Sequence, residues 1–224
     1  MSSIDPNVVH EFLSGELEQE LENVLNHPAP GYAEPSYWNE RYMSNPNPYD
    51  WFQPWSAFKS IVLPLIPSKE SAIDLGCGNS PMTSELLSDG FNKVVGLDIS
   101  SVVIDQNKKK FANENRLEWE VGNVFNLSKY PDESFDAVFD KGTFDCIMSS
   151  GINALQISQF LQGVSRILKK KGVFVEISYG LPETRLSWLQ NPKYGWKQIE
   201  SRQVEQMSER GYYHYVYCFQ KKDE

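Results

Sequence analysis

Three features of the sequence predict an α/β fold: a doubly wound, mostly parallel sheet of seven strands whose last strand is antiparallel. Apolar strand-like runs alternate with helical stretches from Ser71 onward. Most of the first five runs are short and largely apolar, as in strands covered on both faces. The last two runs follow one another with little room for a helix between them, which makes them antiparallel neighbours.

The runs are SAIDL (71–75), KVVGLD (93–98), RLEWEV (116–121), FDAVFD (135–140) and GVFVEIS (172–178), then WKQIESRQV (196–204) and GYYHYVYCFQK (211–221). Helices are expected at 81–89, 101–114 and 153–169. A further helix is expected from Pro54 to Leu65, after two stretches crowded with aromatics, SYWNERYM (36–43) and NPNPYDWFQPW (45–55).

Residues 6–26 form a separate pattern. Val8, Val9, Phe12, Leu13, Leu17, Leu21, Val24 and Leu25 recur at helical spacing among glutamates, with Asp5 as N-cap and Pro6 in the first turn. HPAPGYAEP (27–35) then breaks the helix. The organisation expected is an acidic amphipathic helix with a Pro-rich tether over 1–35 and one domain over 36–224, opening with an aromatic segment at 36–66. Packing on the domain, capping the site and binding a partner are all open to the helix.

The 224 residues are 40% hydrophobic and carry a net charge of −9. The basic run Lys108–Lys110 lies on a helix and reads as a solvated face, and with this net charge nucleic acid is not expected as the main partner. No apolar run approaches the ~20 residues that span a bilayer, and no leader pattern is present. Cys77, Cys146 and Cys218 are widely spaced without a CxxC pair, which suits a reducing, cytoplasmic setting. His10, His27 and His214 have no ligand spacing, so no metal is expected.

The stretch AIDLGCGNSP (72–81) carries the functional reading. Ile73-Asp74-Leu75 ends the first strand and Gly76-Cys77-Gly78 turns into a helix near Pro81. A P-loop is excluded because no GK[ST] follows. A dinucleotide fingerprint needs a third glycine where this chain has Pro81, which weakens that reading. Asp74 adds a carboxylate that would repel a pyrophosphate and welcome an ammonium or sulfonium. Asp98 ends the second strand, where an acid accepts hydrogen bonds from ribose hydroxyls. Gly122-Asn123-Val124 ends the third, where a polar side chain receives an adenine amine. Asp140-Lys141-Gly142 ends the fourth. All lie at carboxyl ends of parallel strands, the ligand edge of such a sheet.

This array resembles the class I S-adenosylmethionine-dependent methyltransferases, a Rossmann-like fold. SYWNERY (36–42) with PYDWF (48–52), LGCGNS (75–80) and DKGTFD (140–145) narrow the resemblance to the lysine methyltransferases that modify translation elongation factor 1-alpha. The likeness runs from residue 36 to the C-terminus. It implies S-adenosyl-L-methionine as cofactor, S-adenosyl-L-homocysteine as product, and a protein substrate, either elongation factor 1-alpha or another basic protein. It implies that Trp38, Tyr42 and Trp51 close over the cofactor. Gly76 and Gly78 would approach it beside Asp74, Asp98 and Ile99 would hold ribose and adenine, Gly122, Asn123 and Val124 would edge the adenine, and Asp140 would face the methionine end. Position 123 is Asn where relatives often carry aspartate.

A lysine acceptor must lose a proton before attack, and Asp140 and Asp145 are the candidate catalytic residues for orienting the amine or relaying that proton. Asp145 reads equally as a helix cap or surface acid. Phe144, Tyr49 and Phe52 are candidates for an aromatic channel around the lysine stem, or for ordinary packing. Cys77 reads as a small packed residue. Two other functions stay open: a small-molecule methyltransferase, with the N-terminal helix or residues 180–194 as a lid, and a catalytically silent cofactor-binding module paired with an active partner.

Overall fold

The computed structural model describes residues 31–208 and 210–223. Contacts divide the chain into two units, Met1–Gly31 and Tyr32–Glu224, and the second carries everything below. The helix expected over 6–26, and the first residues of its tether, lie outside the described residues.

Seven strands form one sheet: β1 Ser71–Leu75, β2 Lys93–Asp98, β3 Leu117–Val121, β4 Phe135–Lys141, β5 Leu168–Ser178, β6 Trp196–Glu205 and β7 Tyr213–Lys221. Their order is β3-β2-β1-β4-β5-β7-β6. β1 to β5 run parallel, and β7 lies antiparallel between β5 and β6. The chain leaves β1 to one side for β2 and β3, then crosses to the other side for β4. A crevice therefore opens between the carboxyl ends of β1 and β4.

Side-chain alternation along the central strands feeds two cores. Ala72, Val94, Ala137 and Val175 face one side, under Trp55, Phe58, Met82, Leu86 and Ile104. Ile73, Val95, Val138 and Phe174 face the other, under Phe160, Leu161, Val164 and Trp196. Helices accordingly cover both faces. These are α1 Pro35–Ser44, α2 Lys59–Val62, α3 Met82–Ser88, α4 Ser101–Lys110, α5 Thr143–Ser149, α6 Ala154–Ile167 and α7 Pro182–Leu189. α6 shows the mechanism plainly: Ile157, Phe160, Leu161, Val164 and Ile167 are buried at i, i+3, i+4 spacing, and Asn153 Oδ1 accepts from the Gln156 amide at 3.0 Å as N-cap.

The differences from expectation have local causes. The helix expected over Pro54–Leu65 is a 3₁₀ turn at Trp55–Ala57, the single turn α2, and a second 3₁₀ turn at Leu63–Leu65. Pro64 has no amide to donate and its ring crowds the preceding turn, so an α-helix cannot continue through it. The helix expected to reach 114 ends at Lys110, where Phe111 leaves helical geometry. β5 begins at Leu168, four residues early, because Leu168 pairs with Phe135 ahead of a register shift, after which Val173 pairs with Ala137. α1, α5 and α7 were not expected as helices. Among the described residues, no helix is long and apolar enough to cross a membrane.

Candidate active site

The glycine loop is built onto the end of β2. The Gly76 and Cys77 amides donate to the Leu97 carbonyl at 2.7 and 3.0 Å. Gly76 and Gly78 have φ of +70° and +53°, the left-handed region that side chains resist. A Cβ on Gly76 would lie 1.9 Å from Thr143 Oγ1, so the loop passes too close to α5 for any other residue. Asp98 fastens the turn: its carboxylate accepts from the Gly78 amide at 2.9 Å and the Ser100 amide at 2.8 Å.

Beside this loop lies a cavity of about 910 Å³, open mouth included. β1 and its loop contribute Asp74, Gly76, Gly78 and Ser80. β2 contributes Asp98 and Ile99, and the turn after β3 contributes Gly122, Asn123 and Val124. Trp38 and Tyr42 of α1, with Trp51, form an aromatic wall. Trp38 stacks on Tyr42 at 6.0 Å between centroids and meets Trp51 edge-on at 6.3 Å. Trp38 Nε1 donates to the Tyr32 carbonyl at 2.9 Å. The residues that the resemblance assigned to cofactor contact thus come together around one cavity, with the exception of Asp140.

Asp140 is fully buried and turned away from that cavity. Its carboxylate accepts from the Thr143 amide at 2.9 Å and the Phe144 amide at 3.1 Å, so it holds the first turn of α5. Burial pushes its pKa well up, with Asp145 adding to the effect, while those amides pull the other way. Asp145 is also buried, paired with Arg185 Nη2 of α7 and accepting from Ser178 Oγ at 2.6 Å. Neither carboxylate is among the residues lining the cavity: Asp140, expected at the methionine end, holds the start of α5, and Asp145, expected beside the acceptor amine or as a cap or surface acid, is buried against Arg185. The physical reason is α5 itself: a helix starting at Thr143 draws Asp140 to its free amides and carries Asp145 to its inner side.

The Asn123 side-chain oxygen accepts from the Phe125 amide at 2.9 Å, closing its own turn, with one acceptor position left. Phe144 is fully buried and stacked on Phe160 at 5.7 Å, outside any channel. Tyr49 does line the cavity. Phe52 instead leans on Tyr179 and His214, with ring centroids at 6.0 and 4.8 Å.

Two buried acids, Asp98 and Asp74, and the buried cation Lys141 line the cavity. Burial pushes Asp98 up to about 6 against the pull of the Ser100 and Gly78 amides. Burial pushes Asp74 up to about 6 as well, while the Thr83 hydroxyl, donating at 2.6 Å, opposes it. Cys146 lines the wall with its thiol pushed up to about 12 by burial, so it is no nucleophile. Acid-rich at one end, apolar along its floor and aromatic above, the cavity matches a ligand bearing hydroxyls, a flat heterocycle and a soft cation.

Sequence reading missed Lys141, Thr143 and Ser80, which also line the cavity. The signal was present for Lys141, a charged residue at the carboxyl end of β4, where the same rule picked out its neighbour Asp140.

Comparisons with known proteins agree with this geometry. Residues 73–175 match the methyltransferase domain family. EEF1A lysine methyltransferase 4 of Bos taurus is 33% identical over 178 residues, which cover 74% of this chain and 69% of that protein. The Mus musculus protein of the same name is 31% identical, with coverage of 74% and 68%. A TehB-like S-adenosylmethionine-dependent methyltransferase from Corynebacterium glutamicum shares the fold, with a TM-score of 0.58 and 18% identity over 85% of this chain and 99% of that one. With its glycine loop, its switch-point cavity and these relatives, the chain belongs to the S-adenosylmethionine-dependent class I methyltransferases, in the family of the EEF1A lysine methyltransferases.

Proposed function

We propose that this chain transfers a methyl group from S-adenosyl-L-methionine to the ε-amine of a lysine on elongation factor 1-alpha, in the cytoplasm. The observation that carries the reading is the cavity at the switch point, where the glycine loop and Asp98 face a wall of aromatic rings. Relatives named for elongation factor 1-alpha point to the acceptor. The net charge of −9 suits a basic one.

In this reading Asp98 accepts from the ribose hydroxyls, Ile99, Gly122, Asn123 and Val124 border the adenine, and the loop at Gly76–Gly78 carries the methionine part beside Asp74. Trp38, Tyr42 and Trp51 face the sulfonium, where cation–π attraction is worth ~0.5–2 kcal/mol. The bound cofactor supplies a methyl group already activated by positive sulfur. The protein's own task is to align the acceptor amine and exclude water. Asp140 and Asp145 serve by fixing α5, whose residues Thr143 and Cys146 form one wall. Among the described carboxylates, only Asp74 and Asp98 line the cavity, and Asp74 is engaged by Thr83. Burial of the acceptor amine disfavours its charged form, so in this reading it sheds its proton to solvent at the mouth. Residues 36–224 form the catalytic domain, and 36–66 cover the cofactor.

The test is methyl-labelled S-adenosylmethionine incubated with the full chain and purified elongation factor 1-alpha, with Asp98→Ala as control. Label recovered as methyl-lysine in the acceptor is expected. Label appearing only in small molecules overturns the protein acceptor, and absence of cofactor binding overturns the site.

A further inference from the structure

Lys141 is a buried cation in the wall of the cavity, one residue past Asp140, and all three of its ammonium protons are engaged by one short segment. Nζ donates to Asp50 Oδ1 at 2.7 Å, to the Trp51 carbonyl at 3.2 Å and to the Gln53 carbonyl at 3.4 Å. Its side chain is 5% exposed. The segment Asp50–Gln53 belongs to neither helix nor strand, so its shape rests on such bonds. Nearby anchors repeat the pattern. Ser80 Oγ of the glycine loop donates to the same Asp50 oxygen, and Asn79 Nδ2 donates to the Asn47 carbonyl at 2.7 Å. Gln53 Oε1 accepts from the Met207 amide at 2.9 Å beyond the end of β6.

The strap so held contains a strained residue. Phe52 has φ of +69°, which a bulky side chain adopts only when its surroundings enforce it. The two carbonyls that Lys141 binds lie on either side of it in sequence. Its ring rests on Gly142, where an added Cβ would approach it to 3.2 Å. Trp51, the preceding residue, faces the cavity and lies under the Arg41 guanidinium at 5.1 Å. All three bonds go to this segment, so Lys141 acts as a donor that holds backbone and Asp50 in place. A guanidinium, flat and larger, does not reproduce this three-way geometry.

We infer that Lys141 is a positioning residue of the methyltransferase: by chelating Asp50, Trp51 and Gln53 it sets the aromatic strap, with Trp51 on the cavity and Phe52 strained over Gly142. This rests on the reading of the cavity as the S-adenosylmethionine site. The strap, not the ammonium itself, meets the cofactor.

The experiment compares the unchanged full-length chain with Lys141→Met, Asp50→Ala and the double variant. Hydrogen exchange is read without ligand, and cofactor affinity and dissociation rate are read by calorimetry and stopped flow. Amides of Trp51, Phe52 and Gln53 are expected to exchange at least tenfold faster in each variant, while those of β1 and β4 stay within twofold. Cofactor affinity is expected to fall about tenfold, through faster dissociation, with the double variant no worse than the more affected single one. Exchange and affinity within twofold of the unchanged chain in a folded variant overturn the inference. Should Lys141→Met fail to fold, Asp50→Ala, altered on the half-buried strap, decides by the same two readings. An unchanged chain that binds no cofactor overturns the cofactor reading alone, because strap exchange still reports whether Lys141 holds the strap.

Discussion

Asp98 has two tasks: it holds the Gly78 and Ser100 amides and it lines the cavity. Its pKa of about 6 stands above the ordinary 3.8. The raised value means that its contribution to the stability of the ligand-free protein is full below pH ~4 and is lost as pH rises through ~6. Cofactor binding has the opposite sign, because only the ionised form accepts from two ribose hydroxyls. Calorimetry should show the dissociation constant for S-adenosylmethionine rising about tenfold between pH 7.5 and 5, with Asp98→Asn weaker throughout and flatter with pH. Asp98 and the two loop glycines were legible in the sequence because a residue at a strand's carboxyl end is placed by the strand alone. Asp140 sits at an equivalent end yet turns inward. Its direction depends on α5, which the sequence pattern did not reveal, and Lys141 went unread because its partners come from a strap about 90 residues away.

α5 and α7, of seven and eight residues, are too short to display an apolar period, which is why neither was foreseen. Their union is ionic. Asp145 of α5 pairs with Arg185 of α7, and Glu176 of β5 lies between them, fully buried, 3.5 Å from Arg185 Nε and otherwise without a hydrogen bond. Burial and the neighbouring Asp140 and Asp145 push Glu176 well up, with Arg185 opposing. Removing the cation leaves buried acids uncompensated. Urea unfolding of Arg185→Met should show a loss of about 3–5 kcal/mol, and Asp145→Asn added to it should recover part of that loss. The strands, by contrast, were legible to within one or two residues at most ends, the start of β5 excepted. Parallel strands covered on both faces read as continuous apolar runs whatever packs on them, so β1 and β2 begin and end as expected.

At the scale of the whole molecule, both described cores draw on residues from Tyr32 to Phe219. Met1–Gly31 is a unit by itself, and removal of residues 1–30 is expected to leave a domain with native near-ultraviolet circular dichroism and cofactor affinity within a few-fold of the full chain. Global unfolding would place that segment in the core. The reversed seventh strand followed from spacing, since the last two runs had no crossover between them; the order of strands in the sheet did not. The aromatic strap did not follow, because irregular backbone is shaped by distant partners rather than by local period. The position of β7 also dictates the order in which the sheet is completed. β6 joins only through β7, so during synthesis it waits without a partner while β5 keeps an open edge. Not until Tyr213–Lys221 emerge does that edge close. Until then the nascent chain exposes a free strand edge that can pair wrongly or call for a chaperone.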